Sequence, residues 1–522
     1  MSTSLQPTDE EDLLPKTSNG ARIVVLVPKS HVKSVKTLLE KHAIFDKQHG
    51  ISPEENNNVS PKDKRMRIAT TLPCSLTEDG CQPSPGETQH LETLHLHDIC
   101  ADITYTTWIP PTSNTSLSKP HNPLLKALRQ ALNSLSPCTL TALNSSVDDL
   151  VSSFPDSYSI YPPLLLLPSN TLRSPWPTLL TTHPHLLPQI WTSLAGALQI
   201  THIALNSPIP PSNSPLSAHA RDSTNTLRSP VHLIPLHGSF GPLPTPQTLS
   251  QPSPNDFSTA LWATARQNGI TQVWAPLYTM FSRGNVKEKA RILHHPSISS
   301  SITSSNGAGV TAVDLYAGIG YFAFSYRAAG VGRVLCWELN PWSVEGLCRG
   351  AALNNWTARV FSPADVPGRD AGDAEWAAWR EGVCRGTEDF WVFAMSNEFA
   401  DRVLATLRDV IPPIRHVNLG LLPVSRPSWP TAVGAVDSEL GGWVHAHENV
   451  GVEEMEGRTV EVESVFQGLS DAVGDGAAGR DTRGGKKVRV EHVERVKMYA
   501  PGVVHAVFDV HIPGIARNTD NE

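Results

Sequence analysis

The sequence predicts an α/β fold, with a Rossmann-like domain in the C-terminal half and smaller α/β regions before it. Three observations support this prediction. After residue 257, short apolar runs alternate with segments of helical periodicity, as in a parallel sheet covered by helices on both faces. A glycine-rich turn, AGIG at 317–320, joins one such run to the helical segment behind it. Near the N-terminus, the buried-strand pattern RIVVLVP precedes an amphipathic helix pattern.

The length and composition leave room for several domains and exclude two classes of protein. The chain has 522 residues, which at about 100–200 residues per domain corresponds to roughly two to four domains. Its 39% hydrophobic residues suffice for at least one large core, which excludes wholesale disorder. The formal charge of −8 excludes a uniformly basic nucleic-acid coat protein, so any nucleic-acid surface must be a local patch.

Cysteine usage and the N-terminal composition predict the location. The 7 cysteines include no CxxC pair, which argues against a zinc ribbon or a disulfide scaffold. Residues 1–20 are polar and acidic, without the apolar stretch of a signal peptide. No run approaches the ~18 apolar residues of a membrane span. We therefore expect a reduced, soluble, cytoplasmic protein that does not engage a membrane.

Changes in composition along the chain predict its domain boundaries. The expected order is a disordered tail at 1–20, a small N-terminal α/β domain at 21–107, a loop at 108–122, a middle mixed helical region at 123–206, a Pro/Ser-rich linker at 207–256, and a Rossmann-like catalytic domain at 257–522. Within the last domain, residues 453–488 are rich in glycine and in charge of both signs, and we expect a flexible insertion there.

The elements of the C-terminal domain follow from its alternating runs. The segments TAVDLYA, RVLCWELN, ARVFSPAD and RHVNLGLLP are predicted to be strands. The segments YFAFSYRAAG, PWSVEGLCRGAALNNW and NEFADRVLATLRD are predicted to be helices. Two final runs, VRVEHVERVKMYA and VVHAVFDVHIP, are expected as strands at the edge of the sheet.

The glycine turn predicts a site for a nucleoside-bearing cofactor. Asp314 ends a predicted strand, and Gly318 and Gly320 let the backbone approach a ligand closely where the next helix begins. Glu338 ends the following strand, where a carboxylate can bind both hydroxyls of a ribose. The third glycine of a dinucleotide fingerprint is replaced by Ala323. This replacement favours S-adenosylmethionine, which has no phosphate. The alternative is an ordinary glycine turn.

Two further segments carry candidate cofactor contacts. Asp365 closes the third predicted strand, where nucleoside-binding folds commonly meet the adenine, although a solvated loop acid fits the pattern equally well. Upstream, Asn285 and Glu288 have the spacing of a helix capping box. Ser282 then lies in the loop entering that helix and Lys289 one turn inside, where the pair could meet a carboxylate or a ribose. The alternative for Lys289 is a solvated basic helix face.

Other polar residues have structural explanations of comparable weight. Asn340 and Pro341 fit the cap and first turn of the helix after Glu338. The pairs His95–His97 and His445–His447 have metal-like spacing, but no third ligand is suggested, and we predict no metal site.

Read together, these segments resemble the eukaryotic tRNA wybutosine-synthesizing protein 2 family, which is related to the tRNA guanine-37 N1-methyltransferases. The matching blocks are FSRGNVKEKAR, DLYAGIGYF, CWELNPWSVEGL, MSNEFA, HVNLGLLP, GGWVHAHENV and VERVKMYAPGVVH. They cover residues 257–522, and the resemblance extends more weakly to two N-terminal blocks, LVPKSHVKSVKTLLEKH and FPDSYSIYPPLLLLPSN.

The resemblance implies an S-adenosylmethionine-dependent transferase that is not a methyltransferase. The family moves the 3-amino-3-carboxypropyl group to C7 of 4-demethylwyosine at position 37 of phenylalanine tRNA, in the anticodon loop, and releases methylthioadenosine. It implies cofactor contacts at Ser282, Lys289, Glu338 and the Asp365–Val366 segment. The family has Asp-Asn-Arg after the third strand, where this chain has Ala364-Asp365-Val366-Pro367. Asn418, in the HVNLGLLP block, is the candidate residue at the reaction centre, or else a strand-end amide that satisfies loop backbone.

Two other functions fit the same pattern, and protein partners are left open. One is a guanine-37 methyltransferase on this scaffold, and the other is a non-catalytic tRNA-binding protein with a relic cofactor site. Binding of tRNA requires local positive charge. The candidates are Lys287, Lys289, Arg291, Lys486, Lys487, Arg489, Arg495 and Lys497.

Overall fold

The protein is described here from a computed structural model. The residues that this structure describes are 21–46, 49–54, 65–74, 83–109, 122–135, 145–206, 233–475 and 487–514. The chain forms two compact units that divide between residues 121 and 122, at the end of the loop expected at 108–122. The tail expected at 1–20 lies outside the described residues. No helix among the described residues is long and apolar enough to cross a membrane.

The first unit is a small α/β domain built on an antiparallel sheet. Its strands are β1 (Arg22–Pro28), β2 (Ile51–Pro53), β3 (Arg65–Pro73) and β4 (Thr104–Trp108), in the order β2-β3-β1-β4. Its helices are α1 (Val32–Lys41), α2 (Pro85–Glu92) and α3 (Leu96–Ile99). The alternating residues Ile23, Val25 and Val27 are buried with Val35 and Leu39 of α1, so the predicted strand and amphipathic helix are confirmed.

The second unit begins with a mixed sheet covered by helices. The strands are β5 (Ser159–Tyr161), β6 (Leu164–Pro168), β7 (His202–Asn206) and β8 (Leu233–His237). The helices are α4 (Pro123–Asn133), α5 (Val147–Ser152), α6 (Trp176–Thr182) and α7 (Leu187–Leu198). The buried face of α4, with Leu124, Leu128 and Leu132, contributes to this core.

The expected linker at 207–256 is wrong for its second part. Strand β8 pairs with β7 in the mixed sheet, and two short helices follow, α8 (Pro246–Ser250) and α9 (Pro254–Thr259). The indole Nε1 of Trp342 donates a hydrogen bond to the carbonyl of Thr248 at 2.7 Å, and the ring of Trp342 packs on Phe257 at 4.9 Å. The few apolar residues among the prolines therefore fix this segment to the C-terminal region. Residues 207–232 lie outside the described chain.

The C-terminal region is built on one large sheet preceded by a hairpin. The hairpin is β9 (Ala263–Gln267) and β10 (Ile270–Trp274), followed by α10 (Val286–Leu293) and α11 (Pro296–Ser304). The strands of the large sheet are β11 (Thr311–Asp314), β12 (Arg333–Trp337), β13 (Ala358–Phe361), β14 (Phe390–Phe393), β15 (Ile414–Leu419), β16 (Gly442–Gly451), β17 (Arg489–Ala500) and β18 (Val503–Ile512). The remaining helices are α12 (Ala323–Ala328), α13 (Pro341–Leu353), α14 (Asp373–Val383), α15 (Ala400–Leu407), α16 (Trp429–Ala435) and α17 (Met455–Asp475).

The order of the strands places a cleft at the end of β11. Within the described residues, the sheet runs β13-β14-β12-β11-β15-β16-β18-β17. The first six strands are parallel, and β18 and β17 are antiparallel to their neighbours. The chain proceeds from β11 to one side and later returns to the other side with β15. Ligands of such sheets bind at this switch point, outside the carboxyl ends of the strands.

Strands β16, β17 and β18 extend past the carboxyl ends of the central strands. Leu419, the last residue of β15, pairs with Ala446, and β16 continues from there to Gly451, where it pairs with Val503 of β18. At about 3.3 Å per residue, this extension is roughly 17 Å long. The turn between β17 and β18 therefore stands beyond the carboxyl edge, on one side of the cleft.

The flexible insertion expected at 453–488 is wrong for most of its length. Residues Met455–Asp475 form the helix α17. Val462 and Phe466 of this helix are fully buried, and the ring of Phe466 packs on Trp429 at 4.6 Å. These apolar residues are spaced four apart and therefore share one face of the helix. In the sequence, the surrounding glycines and charged residues hide this pattern.

Candidate cofactor and transfer site

Asp314 and Asn418 meet at the centre of the carboxyl edge. They are register partners on β11 and β15, and both side chains are fully buried. Asn418 donates from Nδ2 to Oδ1 of Asp314 at 3.1 Å, and the backbone N–H of Tyr316 donates to the same oxygen at 3.2 Å. Burial raises the pKa of Asp314 to about 7. The amide oxygen of Asn418 has no partner among the described residues.

The glycine turn after β11 requires both of its glycines. Gly318 and Gly320 have φ of +56° and +85°, which side chains disfavour. A Cβ at Gly318 would lie 2.8 Å from the ring of Tyr321, and one at Gly320 would lie 2.6 Å from the ring of Phe324. The conformation of the turn and its packing against Tyr321 and Phe324 therefore both require glycine at these positions.

Glu338 links the glycine turn to the next helix. One carboxylate oxygen accepts from the backbone N–H of Gly318 and the other from that of Asn340, both at 2.8 Å. Asn340 caps α13 by accepting from the backbone N–H of Trp342 at 2.9 Å, so the predicted cap is confirmed. Glu338 therefore ties the backbone of the glycine turn to the start of α13.

Ser282 and Lys289 approach the same turn from the other side. The backbone N–H of Ser282 donates to the hydroxyl of Tyr321 at 3.2 Å. Lys289 donates from Nζ to the amide oxygen of Gln272 at 2.5 Å, and the amide nitrogen of Gln272 donates to the carbonyl of Gly320 at 3.3 Å. Each predicted residue is therefore linked to the glycine turn through one intervening side chain, Tyr321 for Ser282 and Gln272 for Lys289.

Lys289 is a buried cation with neutral partners. Besides Gln272, its ammonium donates to the amide oxygen of Gln267 at 2.9 Å and lies 4.9 Å from the ring centroid of Tyr321. None of the described carboxylates forms an ion pair with it. Burial lowers the pKa of Lys289 to about 7. An anionic ligand group beside it would supply the missing negative charge.

The predicted capping box before α10 is wrong. The side chain of Asn285 makes no cap hydrogen bond. The carboxylate of Glu288 instead accepts from Arg291 at 2.8 Å and 2.7 Å. Glu288 is pulled to the buried side of the helix because Arg291 itself reaches into the sheet.

The strand that precedes Asp365 does not lie beside β12. Strand β13, which precedes Asp365, lies at the edge of the sheet, and β14 lies between it and β12. Asp365 is exposed, and its carboxylate closes a capping box with Ser362, an interaction that lowers its pKa. Asp365 and Val366 are therefore separated from Glu338 by a whole strand.

Asn397 occupies the place that was expected for Asp365. It follows β14, and its side-chain amide donates to the carbonyl of Leu315 at 2.8 Å, directly after Asp314. Sequence order alone misses this residue because β13 precedes β14 in the chain. The block MSNEFA contains Asn397, and only the strand order reveals its position. Gln272 and Tyr321 are likewise missed, although Tyr321 directly follows the glycine turn.

A row of polar side chains lies on one face of the sheet. Its members are His416 and Asn418 on β15, His445 and His447 on β16, and His505 and Asp509 on β18. His447 and His505 share a hydrogen bond of 3.0 Å, and the ring of His447 packs on Phe322 at 4.8 Å. Burial lowers the pKa of both imidazoles, that of His505 to about 4.

Two members of this row, His445 and Asp509, lie close enough to His295 for the three side chains to hold a metal ion. His295, His445 and Asp509 are the one such group of three among the described residues. Asp509, however, already accepts from His445 at 2.7 Å, from His295 at 3.1 Å, and from Arg291 on both oxygens. Burial opposes the ionised carboxylate, but these hydrogen bonds hold the pKa of Asp509 far below its usual range. We interpret the group as an ion-pair network that joins α10 and α11 to the sheet.

The predicted basic residues divide into two sets. Lys289 and Arg291 are turned inward, so they do not form a nucleic-acid surface. The exposed members are Lys287, Lys487, Arg489 and Arg495, with Lys497 half-buried. Lys486 lies outside the described residues.

The comparisons with known proteins point to one family. No protein-family model matches the chain. It is 36% identical over 371 residues to tRNA wybutosine-synthesizing protein 2 of Schizosaccharomyces pombe, covering 70% of this chain and 75% of that protein. It is 32% identical over 403 residues to the protein of the same name in Saccharomyces cerevisiae, again covering 70% and 75%. A Bos taurus homolog is 24% identical over 533 residues, covering 94% of this chain and 96% of that protein.

Solved structures of low sequence identity align over much of the chain. The crystal structure of P. horikoshii TYW2 in complex with MeSAdo aligns with a TM-score of 0.42 at 17% identity, covering 74% of this chain and 98% of that one. Trm5b from Pyrococcus abyssi aligns with a TM-score of 0.39 at 12% identity, covering 94% and 99%.

The parallel sheet, the glycine turn at its switch point and the carboxylate on the neighbouring strand define a Rossmann-like transferase domain of the S-adenosylmethionine-dependent class. The predicted fold class is thereby confirmed. On the strength of its two yeast relatives, the chain belongs to the tRNA wybutosine-synthesizing protein 2 family, which confirms the resemblance seen in the sequence.

Proposed function

We propose that the chain transfers the 3-amino-3-carboxypropyl group of S-adenosylmethionine to C7 of 4-demethylwyosine at position 37 of tRNA(Phe), releasing methylthioadenosine. The observation that carries this proposal is the convergence of Glu338, the bare glycine turn and Asn418 at one switch point, in a member of this family. We further propose that the enzyme acts in the cytoplasm on the anticodon loop.

The residues around the cleft fit such a group donor. Gly318 and Gly320 form a turn that follows the central strand, and Glu338 is a half-buried carboxylate at the end of the neighbouring strand, a position suited to ribose hydroxyls. We assign the adenine side to Asn397, in place of Asp365 and Val366. Lys289 is suited to the methionine carboxylate because it is a buried cation without a carboxylate partner among the described residues.

The chemistry depends on which carbon of the sulfonium faces the base. All three carbons bonded to the sulfur are electrophilic. In the proposed reaction, C7 of the base attacks the Cγ of the methionine chain, the Cγ–sulfur bond breaks with its electron pair going to sulfur, and C7 then loses its proton. Reacting atoms must lie about 3–3.5 Å apart and in line. The protein's task is therefore orientation, and the sulfonium's own electrophilicity removes the need for a metal.

Isotope labels test the proposal directly. The enzyme is incubated with hypomodified tRNA(Phe) and S-adenosylmethionine labelled either in the carboxyl carbon or in the methyl carbon. We expect the carboxyl label in the tRNA and the methyl label in methylthioadenosine, read by mass spectrometry of nucleosides. Methyl label in the tRNA would instead establish a methyltransferase, and no label in the tRNA would leave a non-catalytic binding protein.

A further inference from the structure

The turn between β17 and β18 carries two exposed apolar side chains. Met498 is 58% exposed and Tyr499 is 61% exposed. They are adjacent in the chain, just before the turn at Pro501–Gly502, and this turn stands beyond the carboxyl edge of the sheet. Neither side chain is buried by the fold, so Met498 and Tyr499 do not contribute to the hydrophobic core.

Positive charge gathers beside these two residues from two separate segments. Arg495 and Lys497 lie on opposite faces of β17, because Arg495 pairs with Ala506 and Lys497 with His505 across a bulge. Arg283 comes just before α10 and donates to the hydroxyl of Ser159 at 2.5 Å, and Lys287 lies in the first turn of α10. Lys287 forms an ion pair with Glu494 and donates to the carbonyl of Arg495 at 3.3 Å. A Cβ at Gly284 would lie 2.6 Å from Nζ of Lys497, so the two segments are in contact there. No ion pair is formed by Arg283, Arg495 or Lys497 among the described residues.

The patch also borders the proposed transfer site. Lys497 pairs across the ladder with His505, whose ring is hydrogen-bonded to His447. His447 in turn packs on Phe322, which follows the glycine turn by two residues. On the other side, Arg283 directly follows Ser282, whose backbone is bonded to Tyr321. A nucleic acid delivering a base to Asn418 would pass along this hairpin.

We propose that Tyr499 and Met498 form a stacking platform for an unpaired nucleotide next to the target base, with Arg495 on one face of the hairpin and Lys497 on the other neutralising the flanking phosphates. Aromatic side chains stack on any base, and an adjacent positive groove tracks the backbone. In a chain of net charge −8, a hairpin that carries a cation without an ion pair on each face, next to an exposed aromatic side chain, fits single-stranded nucleic acid. This inference rests on the proposed function and names the part of the surface that holds the RNA.

The first test measures binding of an anticodon stem-loop RNA to the full-length protein. Tyr499→Ala should weaken binding roughly ten- to hundredfold, and Tyr499→Phe should bind nearly as wild type, because the ring is what stacks. The matched control is Leu353→Ala, at the C-terminal end of α13, where the side chain is 58% exposed. Equal binding by the Tyr499→Ala and Leu353→Ala variants overturns the proposal.

Two further measurements separate stacking from other roles. RNAs lacking the base at position 36 or at position 38 are titrated with wild type and Tyr499→Ala. The effect of the substitution should vanish on one of them, and a full effect on both refutes the platform. Arg495→Gln should weaken binding and make its salt dependence shallower by about one phosphate contact, unlike the control Arg385→Gln.

The outcomes also distinguish this inference from the proposed function. If label transfer occurs normally while Tyr499→Ala binds RNA as tightly as wild type, the platform is wrong and the function stands. If Tyr499→Ala weakens RNA binding but no label reaches the tRNA, the platform stands on a protein that binds RNA without the proposed chemistry. Affinity for methylthioadenosine should be unchanged in all of these variants.

Discussion

Asn418 donates a hydrogen bond to Asp314 across two adjacent parallel strands, with 3.1 Å between Nδ2 and Oδ1. The bond fixes the amide so that its oxygen remains the group available at the carboxyl edge. Asp314 has its pKa raised to about 7 by burial, so its protonation is sensitive to its neighbours near neutral pH. The protonation of Asp314 and the orientation of the Asn418 amide are therefore coupled.

We predict that Asn418→Ala separates catalysis from cofactor binding. If the amide oxygen positions the target base, kcat should fall by about two orders of magnitude, comparable to the loss of one oriented dipole in other active sites. Cofactor affinity should change only a few-fold, because Glu338 and the glycine turn are untouched. Single-turnover rates and calorimetric titration measure the two quantities. A parallel loss of both would assign Asn418 a structural role through Asp314.

Glu338→Ala should weaken S-adenosylmethionine by roughly ten- to a hundredfold, the cost of a lost charge-assisted contact. The loss includes the two backbone bonds that Glu338 makes to Gly318 and Asn340. Glu345→Ala, on the neighbouring helix, is the control, since Glu345 pairs with Arg349 at the surface. Unchanged affinity in a folded Glu338→Ala variant removes this residue from the site.

Lys289→Met should weaken S-adenosylmethionine much more than methylthioadenosine, which lacks the carboxylate. The pKa of Lys289 is lowered to about 7 by burial, and a bound carboxylate would raise it. The lysine contribution to S-adenosylmethionine affinity should therefore be full below pH 7 and decline as the pH rises above it. Comparison with Lys289→Met at each pH removes the effect of the ligand's own amino group, and Lys287→Met is the surface control. Equal weakening of both ligands would refute the carboxylate contact and favour an effect through Gln272.

The pair His447 and His505 should make the protein labile to mild acid. Burial lowers both pKa values below the usual 6.5, that of His505 to about 4. Because the unfolded chain binds protons more readily, the stability is fully present above pH 6.5 and is lost as the pH falls toward 4. We expect a loss on the order of 1–3 kcal/mol between pH 7 and pH 5 in urea unfolding. His505→Gln should flatten this dependence and His185→Gln, at the surface, should not.

Helix α17 should be required for folding. Phe466→Ala should cost about 3–5 kcal/mol in the free energy of unfolding, as for other fully buried aromatic rings. The exposed neighbour Val473→Ala should cost less than about 0.5 kcal/mol. Deletion of 455–475 should then yield an unfolded or aggregated protein. A folded deletion variant with normal cofactor affinity would show instead that this segment is a dispensable insertion.

Local chemistry made part of the site predictable. Gly318, Gly320 and Glu338 were identified because backbone conformation and strand-end position leave direct traces in the sequence. The cap at Asn340 was readable for the same reason. The adenine side of the proposed cofactor site was not predictable in this way, because its location depends on the order of strands in the sheet. The sequence proposed Asp365, at the end of the third strand in chain order, for the adenine contact, whereas β14 lies between β13 and β12 and is followed by Asn397.

Burial was the other property that the sequence concealed. Lys289 sits in a basic run that resembles a solvated helix face, yet its ammonium is enclosed by amides and aromatic rings. Val462 and Phe466 are separated by charged and small residues, so their common face is apparent only once the helix is docked. Both cases depend on tertiary packing, which overrides local composition.

The irregular strand β17 also affects how readily copies of the protein associate through their sheet edges. It is the last strand of its sheet in the described part of the chain, and its pairing with β18 is interrupted by three register shifts. Such bulges, together with charged side chains, make an edge a poor template for a strand from another molecule. The irregular edge that we propose to face nucleic acid is thus also an edge that resists pairing with a second copy of the chain.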